Sequence, residues 1–340
     1  MHRHVRRFAV ALVLLAAFAS SRLPEATAQV TAPPSSAPEK IVIDTDIGID
    51  IDDAFAIGLA LSSPEVQVLG FTTVSGDAGV RARLVDRMLH ETGMSAIPVA
   101  AGPNVPGPFD EAGKPIAFTQ ARWADASPWP ARDWPAAEPF LRELIERYPG
   151  QITLVCLGPL SNVAALAERD PATFHRLKRI VMMGGAIDVG YAMGGHPPAP
   201  PAVAEYNVAV DAKAAATVFA AGVPIVMLPL DSTQVTLDQR RLDLLAAQGT
   251  ALTDAVTLLY DEWAELNPWG RVPTLYDAVA MAEVIDPAIC PTQPLHVIVD
   301  AAGFTRRAPG APNAAVCLHE HADPFLDLVM TRLLSQRLHR

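Results

Sequence analysis

Seven short, nearly continuous apolar runs dominate the chain and restrict its fold: KIVID (40–44), VQVLGFTTV (66–74), IPVAA (97–101), ITLVCLG (152–158), RIVMMGG (179–185), PIVMLPL (224–230) and LHVIVD (295–300). Helical patterns at 53–61, 79–92, 136–147, 160–169, 211–221, 237–248, 252–265 and 277–285 separate most of them. Strands that alternate with helices build βαβ units, and strands without polar alternation are buried on both faces. The expectation is an α/β fold with a mostly parallel central sheet and helices on both faces. With 340 residues, 50% of them hydrophobic, the chain can bury a large core. Polar residues gather where the runs end: DTDIGIDIDD after the first, SGD (75–77) after the second, GPLSN (158–162) after the fourth and GGAID (184–188) after the fifth. Ligands of open parallel sheets bind at the carboxyl ends of strands, so these four segments mark one expected pocket.

The N-terminus follows a different rule. A basic MHRHVRR, an apolar run of about a dozen residues too short to span a bilayer and the small residues ATA at 26–28 read as a signal peptide cut after Ala28, hence as an exported, periplasmic or secreted chain. The Pro/Ser-rich 29–39 reads as a disordered leader, and 40–340 as a single domain. No Cys follows the apolar run, so no lipid attached through cysteine and no stable membrane anchor is expected. Cleavage would remove four Arg and one Glu and make a chain of net charge −11 more acidic still, which disfavours nucleic acid as a partner. Three cysteines cannot all pair within one chain. Cys156 lies in an apolar run, and a Cys290–Cys317 bridge is open in an oxidising compartment.

The segment IVIDTDIGIDIDDAFAI (41–57) carries Asp44, Asp46, Asp50, Asp52 and Asp53. Ile47, Ile49 and Ile51 are interleaved, which argues against a solvated loop. An EF-hand needs Gly at position six and Glu at twelve, and counting from Asp44 those places hold Ile49 and Phe55. An Asp-nucleophile phosphohydrolase also starts strand-Asp-x-Asp and stays open on these residues alone. A hard cation such as Ca2+ takes carboxylate and carbonyl oxygens. Asp46 at a strand end and Asp53 at a helix start could flank one, and a cation-bound water beside a carboxylate base is a ready nucleophile.

DTDIGIDIDDAFAI resembles the motif of the nucleoside hydrolases, the inosine/uridine-preferring family, in a variant with two extra residues before the Asp pair. The resemblance continues in order through GFTTVSGD, AGP (101–103), LVCLGPLSN, IVMMGGA, AEYNVAVDAKAA (204–215), VPIVMLPLDST and YDAVAMAEVIDP (276–287), so it covers about 41–290. It implies a Rossmann-like nucleoside hydrolase fold. It also implies hydrolysis of the N-glycosidic bond of ribonucleosides to ribose and free base, with one Ca2+. Carried over residue by residue, Asp46 is a metal ligand and general base, Asp53 the bidentate ligand, Leu157 a ligand through its carbonyl and Asp277 the last ligand. Asp52 grips the ribose 2′-hydroxyl, Glu205 and Asn207 the other hydroxyls, and Met183 lines the sugar floor. The reaction passes through an oxocarbenium-like sugar, which carboxylates around the ribose stabilise.

Three departures affect the base end. Tyr276 stands where better-known members have a His associated with protonating the leaving base, and a phenol is a poorer acid at neutral pH. Asp77 replaces an Asn, and faces the ribose or bonds a neighbouring amide. Ala199 falls where another Asn is usual. Trp263 and Trp269, or Trp123, Trp129 and Trp134, could stack on the base, and His196, His319 and His321 are candidate replacement acids. GPLSN also reads as a turn with a helix cap. The partner expected is a small nucleoside or riboside, with a homo-oligomer open. Competing readings are a protein that binds metal and ribose without efficient hydrolysis, and a hydrolase of another ribosyl compound.

Overall fold

The computed structural model describes residues 37–105, 118–125, 132–192, 200–267 and 270–338. In chain order the elements are β1 (Glu39–Thr45), α1 (Asp52–Leu61), β2 (Val66–Thr73), α2 (Ala78–Glu91), β3 (Val99–Ala101), α3 (Ala121–Asp125), α4 (Ala137–Arg147), β4 (Ile152–Cys156), α5 (Ser161–Arg169), α6 (Pro171–Phe174), β5 (Arg179–Met183), α7 (Tyr206–Ala209) and α8 (Ala212–Ala220). They continue as β6 (Ile225–Leu228), α9 (Leu230–Thr233), α10 (Gln239–Gln248), α11 (Ala251–Leu266), α12 (Tyr276–Ile285), a 3-10 turn at Pro287–Ile289, β7 (Thr292–Leu295), β8 (Val297–Val299), β9 (Thr305–Arg307), β10 (Ala314–Cys317) and α13 (Ala322–Ser335).

Eight strands form one sheet in the order β3-β2-β1-β4-β5-β6-β10-β7, parallel except for the edge strand β7, which runs antiparallel to β10. Side chains alternate between faces along a strand, and both faces are covered. Ile41, Ile43, Val155 and Val181 join the core under α1, α11, α12 and α13, while Val42, Leu154, Cys156, Ile180 and Met182 join the core under α4, α5 and α8. That is why these strands read as unbroken apolar runs.

The expected run 295–300 is not one strand. Leu295 ends β7 in the main sheet, and Val297–Val299 pairs with Thr305–Arg307 in a separate two-stranded sheet. Cys290 and Cys317 are disulfide-bonded with their Cα atoms 5.6 Å apart, and Cys156 is free and buried.

From β1 the chain winds outward through β2 to β3, then returns to place β4 on the other side of β1. The strand order therefore reverses between β1 and β4. In an open α/β sheet the crevice outside the carboxyl ends at such a reversal is the ligand site, and both DTDIGIDIDD and LGPLSN leave the sheet there.

Candidate active site

Three strand ends meet in this crevice. Gly158, just past β4, lies so close that a Cβ added to it would sit 2.9 Å from both Asp46 Cβ and Val74 Cγ1. Only glycine permits the β1, β2 and β4 loops to close to this distance. The Leu157 amide donates to the Asp44 carbonyl (2.7 Å), which continues the ladder one residue past β4.

Two helix N-termini supply the other carboxylates. Asp52 and Asp53 open α1, Asp277 lies in the first turn of α12, and the two helices pack together. Neither helix has a side-chain cap, and both place acids in the first turn, at the positive end of the helix dipole. The loop before α12 is pinned to 235–237 by Leu275 N to Val235 O (2.8 Å) and Leu237 N to Pro273 O (3.0 Å). Carboxylate oxygens of Asp52, Asp53 and Asp277 all lie within 4.8 Å of one another. Asp46 lies outside this trio but next to it, and its charge acts on all three. The expected ligands Asp53 and Asp277 are thus together, with Asp52, read as the sugar clamp, completing their triangle.

The electrostatics are severe. At an effective dielectric near 20, two charges about 5 Å apart repel by about 3 kcal/mol, so three ionised partners are not stable unaided. Burial, then the neighbouring carboxylates, pushes Asp52, Asp53 and Asp277 well above the ordinary carboxylate range. Burial also raises Asp46. It lifts Asp44 to about 7, although Thr72 Oγ1 (2.5 Å) and Asn162 Nδ2 (2.8 Å) donate to it. Buried polar groups without partners gather here too: Asp44 Oδ2, Arg81 Nη2, Gln120 Oε1, Tyr206 Oη and Asp277 Oδ1. Native interiors satisfy nearly all such groups, so this concentration marks a site built for something to bind. The donors are hard oxygens in acidic excess, and a buried carboxylate oxygen on Asp277 is open, which fits Ca2+.

The remaining expected residues are placed as follows. Met183 ends β5 and is buried, and Asn207 Nδ2 donates to the Leu157 carbonyl (2.9 Å), fixing its direction, and to the Met183 carbonyl (3.3 Å). Glu205 caps α7 and accepts from the amides of Gly185 (2.7 Å), Asn207 (2.9 Å) and Val208 (3.2 Å); burial holds it up to about 7 despite these donors. Its carboxylate thus serves the backbone first. Asp77 takes the second of its two readings: exposed, it caps α2 by accepting from Val80 N (3.1 Å).

Tyr276 opens α12, half-buried, with the Tyr191 ring edge-on at 6.2 Å. Trp263 is buried within the core beside Tyr260, and its side chain also hydrogen-bonds Asp50, which burial lifts to about 6. Trp123 is a buried staple under Arg87, Trp134 packs against the core, and His319 and His321 are exposed. Trp269, Trp129, His196 and Ala199 lie outside the described residues. The cap expected at GPLSN is absent: Ser161 donates to Asp211 (2.7 Å) and Asn162 to Asp44.

The sequence reading missed Arg81, Asn162, Thr45 and Gln120. Thr45 Oγ1 donates to Asp53, orienting it, and Gln120 Nε2 donates to the Asp50 carbonyl. Arg81 had a visible signal: it occupies the apolar stripe of α2 with Ala78, Ala82, Val85, Met88 and Leu89, and is fully buried.

The family model described as inosine-uridine preferring nucleoside hydrolase matches residues 41–327. Uridine nucleosidase 1 of Arabidopsis thaliana is 33% identical over 260 residues, covering 73% of this chain and 74% of that protein. The pyrimidine-specific ribonucleoside hydrolase RihA of Citrobacter koseri is 31% identical over 317 residues, covering 86% and 97%. A solved plant nucleoside hydrolase superposes with a TM-score of 0.73 at 26% identity, covering 88% of this chain and 100% of that one.

Proposed function

We infer, from a chain that belongs to the inosine-uridine preferring nucleoside hydrolase family and is a hydrolase of N-glycosidic bonds, that its substrates are ribonucleosides, split into ribose and free base with one Ca2+ at the aspartate cluster. The carrying observation is the buried, converging trio Asp52, Asp53 and Asp277 beside Asp46, with an unpartnered oxygen on Asp277. Asp46, Asp53, Asp277 and the Leu157 carbonyl would hold the cation, which when bound lowers the pKa of water and neutralises the acids.

The side chains do the rest. Asp46 takes the proton from the attacking water as its oxygen bonds to the anomeric carbon. The C–N bond breaks and the base leaves with the bonding pair and takes a proton from solvent water. Asp52 accepts from the 2′-hydroxyl and faces the developing positive charge of the sugar. Met183 lines the sugar floor, and Glu205 and Asn207 hold the other hydroxyls.

At the base end we assign Tyr276 as a wall. Burial, then the charges of Asp50, Asp52 and Glu205, push its phenol well above the ordinary value, which makes it a still weaker acid.

The two named relatives act, by their names, on uridine and on pyrimidine ribonucleosides, so uridine leads a panel of natural nucleosides and p-nitrophenyl riboside. Turnover is expected with Ca2+ and not with a chelator. Saturable ribose binding with no turnover of any substrate would favour the binding-protein reading. In the same panel Tyr276→Phe should slow natural nucleosides and p-nitrophenyl riboside alike, by less than about fivefold, under 1 kcal/mol. A loss confined to natural nucleosides would restore Tyr276 as proton donor.

Export is part of the same reading. The basic, apolar and small-residue order of 1–28 motivates it, and a Cys290–Cys317 bond suits an oxidising compartment. Mass spectrometry of exported protein should find Gln29 at the N-terminus; an intact Met1 would count against it. Among the described residues, no helix is long and apolar enough to cross a membrane.

A further inference from the structure

We propose that Arg81 is a positioning residue for this reaction: its guanidinium ties the β1 loop to the β2 loop and thereby sets the place of Asp46. The inference rests on the hydrolase reading above, but its test does not depend on turnover alone.

Arg81 lies one turn into α2, and no part of it is exposed. A buried guanidinium is costly unless its N–H groups are used. Nε donates to the Ser75 carbonyl (2.7 Å) and Nη1 to the Ile47 carbonyl (2.9 Å), while the group lies 4.8 Å over the Phe118 ring. Ile47 directly follows Asp46, and Ser75 lies two residues beyond β2.

Both anchor points are ones that need holding. Ser75 is the only non-glycine residue with positive φ (72°) among the described residues, a backbone conformation that side chains other than glycine adopt at a steric cost. On the β1 side, Gly48 follows Ile47 with φ 126°. Asp46 is thus confined between Gly158 and the Arg81 fork. The third arm, Nη2, is buried without a partner, so the fork is not merely a saturated structural staple. A lysine has the charge but cannot direct two N–H groups along fixed lines to two carbonyls.

The test compares Arg81→Lys and Arg81→Met with wild type by thermal melting, Ca2+ affinity in chelator competition, and kcat and KM on p-nitrophenyl riboside. Because Lys keeps the charge, changes in Arg81→Lys report the lost fork. Displacing a catalytic group by about 1 Å costs about 100-fold. Arg81→Lys should therefore lose at least about tenfold in kcat with KM within about threefold, and bind Ca2+ at least about fivefold more weakly, while melting as a folded protein. Arg81→Met should be worse in kcat, and if it does not fold, Arg81→Lys carries the test. Wild-type kcat and Ca2+ affinity in Arg81→Lys would overturn the proposal. So would a fall in activity matched by a fall in folded fraction. If wild type binds Ca2+ but turns over no riboside, the hydrolase reading fails, and the Ca2+ affinity of Arg81→Lys still decides the role of Arg81.

Discussion

Asp46→Asn should retain a folded, Ca2+-binding protein and lose at least about 100-fold in kcat. The side chain stands where β1 ends, against Gly158, with the trio of Asp52, Asp53 and Asp277 beside it. Two roles converge on it, cation ligand and proton acceptor, and the pair Asp46→Asn and Asp46→Ala separates them. Asparagine keeps an oxygen that can face a cation but cannot take a proton at neutral pH. General-base catalysis contributes about 100- to 10,000-fold, so most of the rate should go while affinity for Ca2+ falls modestly. Alanine removes the oxygen too, so Ca2+ affinity should fall with the rate. The measurement is kcat on p-nitrophenyl riboside in samples whose Ca2+ content is quantified. Near-normal turnover by a Ca2+-loaded Asp46→Asn protein would remove Asp46 as the base.

What the sequence disclosed follows from local physics. Strands buried on both faces are continuous apolar runs, so β1, β2, β4, β5 and β6 were legible, as were α1, α2, α4, α5 and α8 between them, whereas the short α3, α6 and α7, of four or five residues each, were not. β7 was not: TQPL is a largely exposed edge strand with a proline, and edges carry no apolar signal. The run LHVIVD hid a change of sheet between Leu295 and Val297. α13 escaped because Pro324 reads as a breaker, although proline is tolerated in a first turn. In the site, Asp46, Asp53 and Asp277 were legible because they lie in motifs at strand and helix ends. Asn162 was read as part of a cap because its partner Asp44 is 118 residues away, and Arg81 was missed because an arginine on an exposed-looking helix carries no mark of burial unless its place on the apolar stripe is counted. Trp263 was legible as an aromatic near Asp277 but not as a buried one, since proximity in sequence says nothing about which side of the wall it occupies.

The second large effect is on stability, and its sign follows from the same crowding. Without a cation, Asp52, Asp53 and Asp277 are held well above the ordinary range, Asp50 at about 6, and Asp44 and Glu205 at about 7. The folded protein therefore binds protons more tightly than the unfolded chain, and stability falls as pH rises. The contribution is fully present below the unfolded carboxylate value near 4 and is lost as pH rises through the folded values, about 6 for Asp50, about 7 for Asp44 and Glu205, and well above the ordinary carboxylate range for the trio. Each unit of upward shift costs about 1.4 kcal/mol once the group is ionised. Acids shifted the other way, such as Glu39, Asp170 and Asp300, act below this window and do not mask it. Ca2+ takes the place of the protons, so it should bind more tightly at higher pH and release protons as it does. Chelated protein should then melt markedly lower at pH 8 than at pH 5, and the Ca2+-dependent rise in Tm should be several times larger at pH 8. Calorimetry with Ca2+ and with a chelator at both pH values checks this. A Ca2+ effect equal at the two pH values would mean that the cation does not displace protons from Asp52, Asp53 and Asp277, and chelated protein more stable at pH 8 would mean that these carboxyls do not hold protons in the fold.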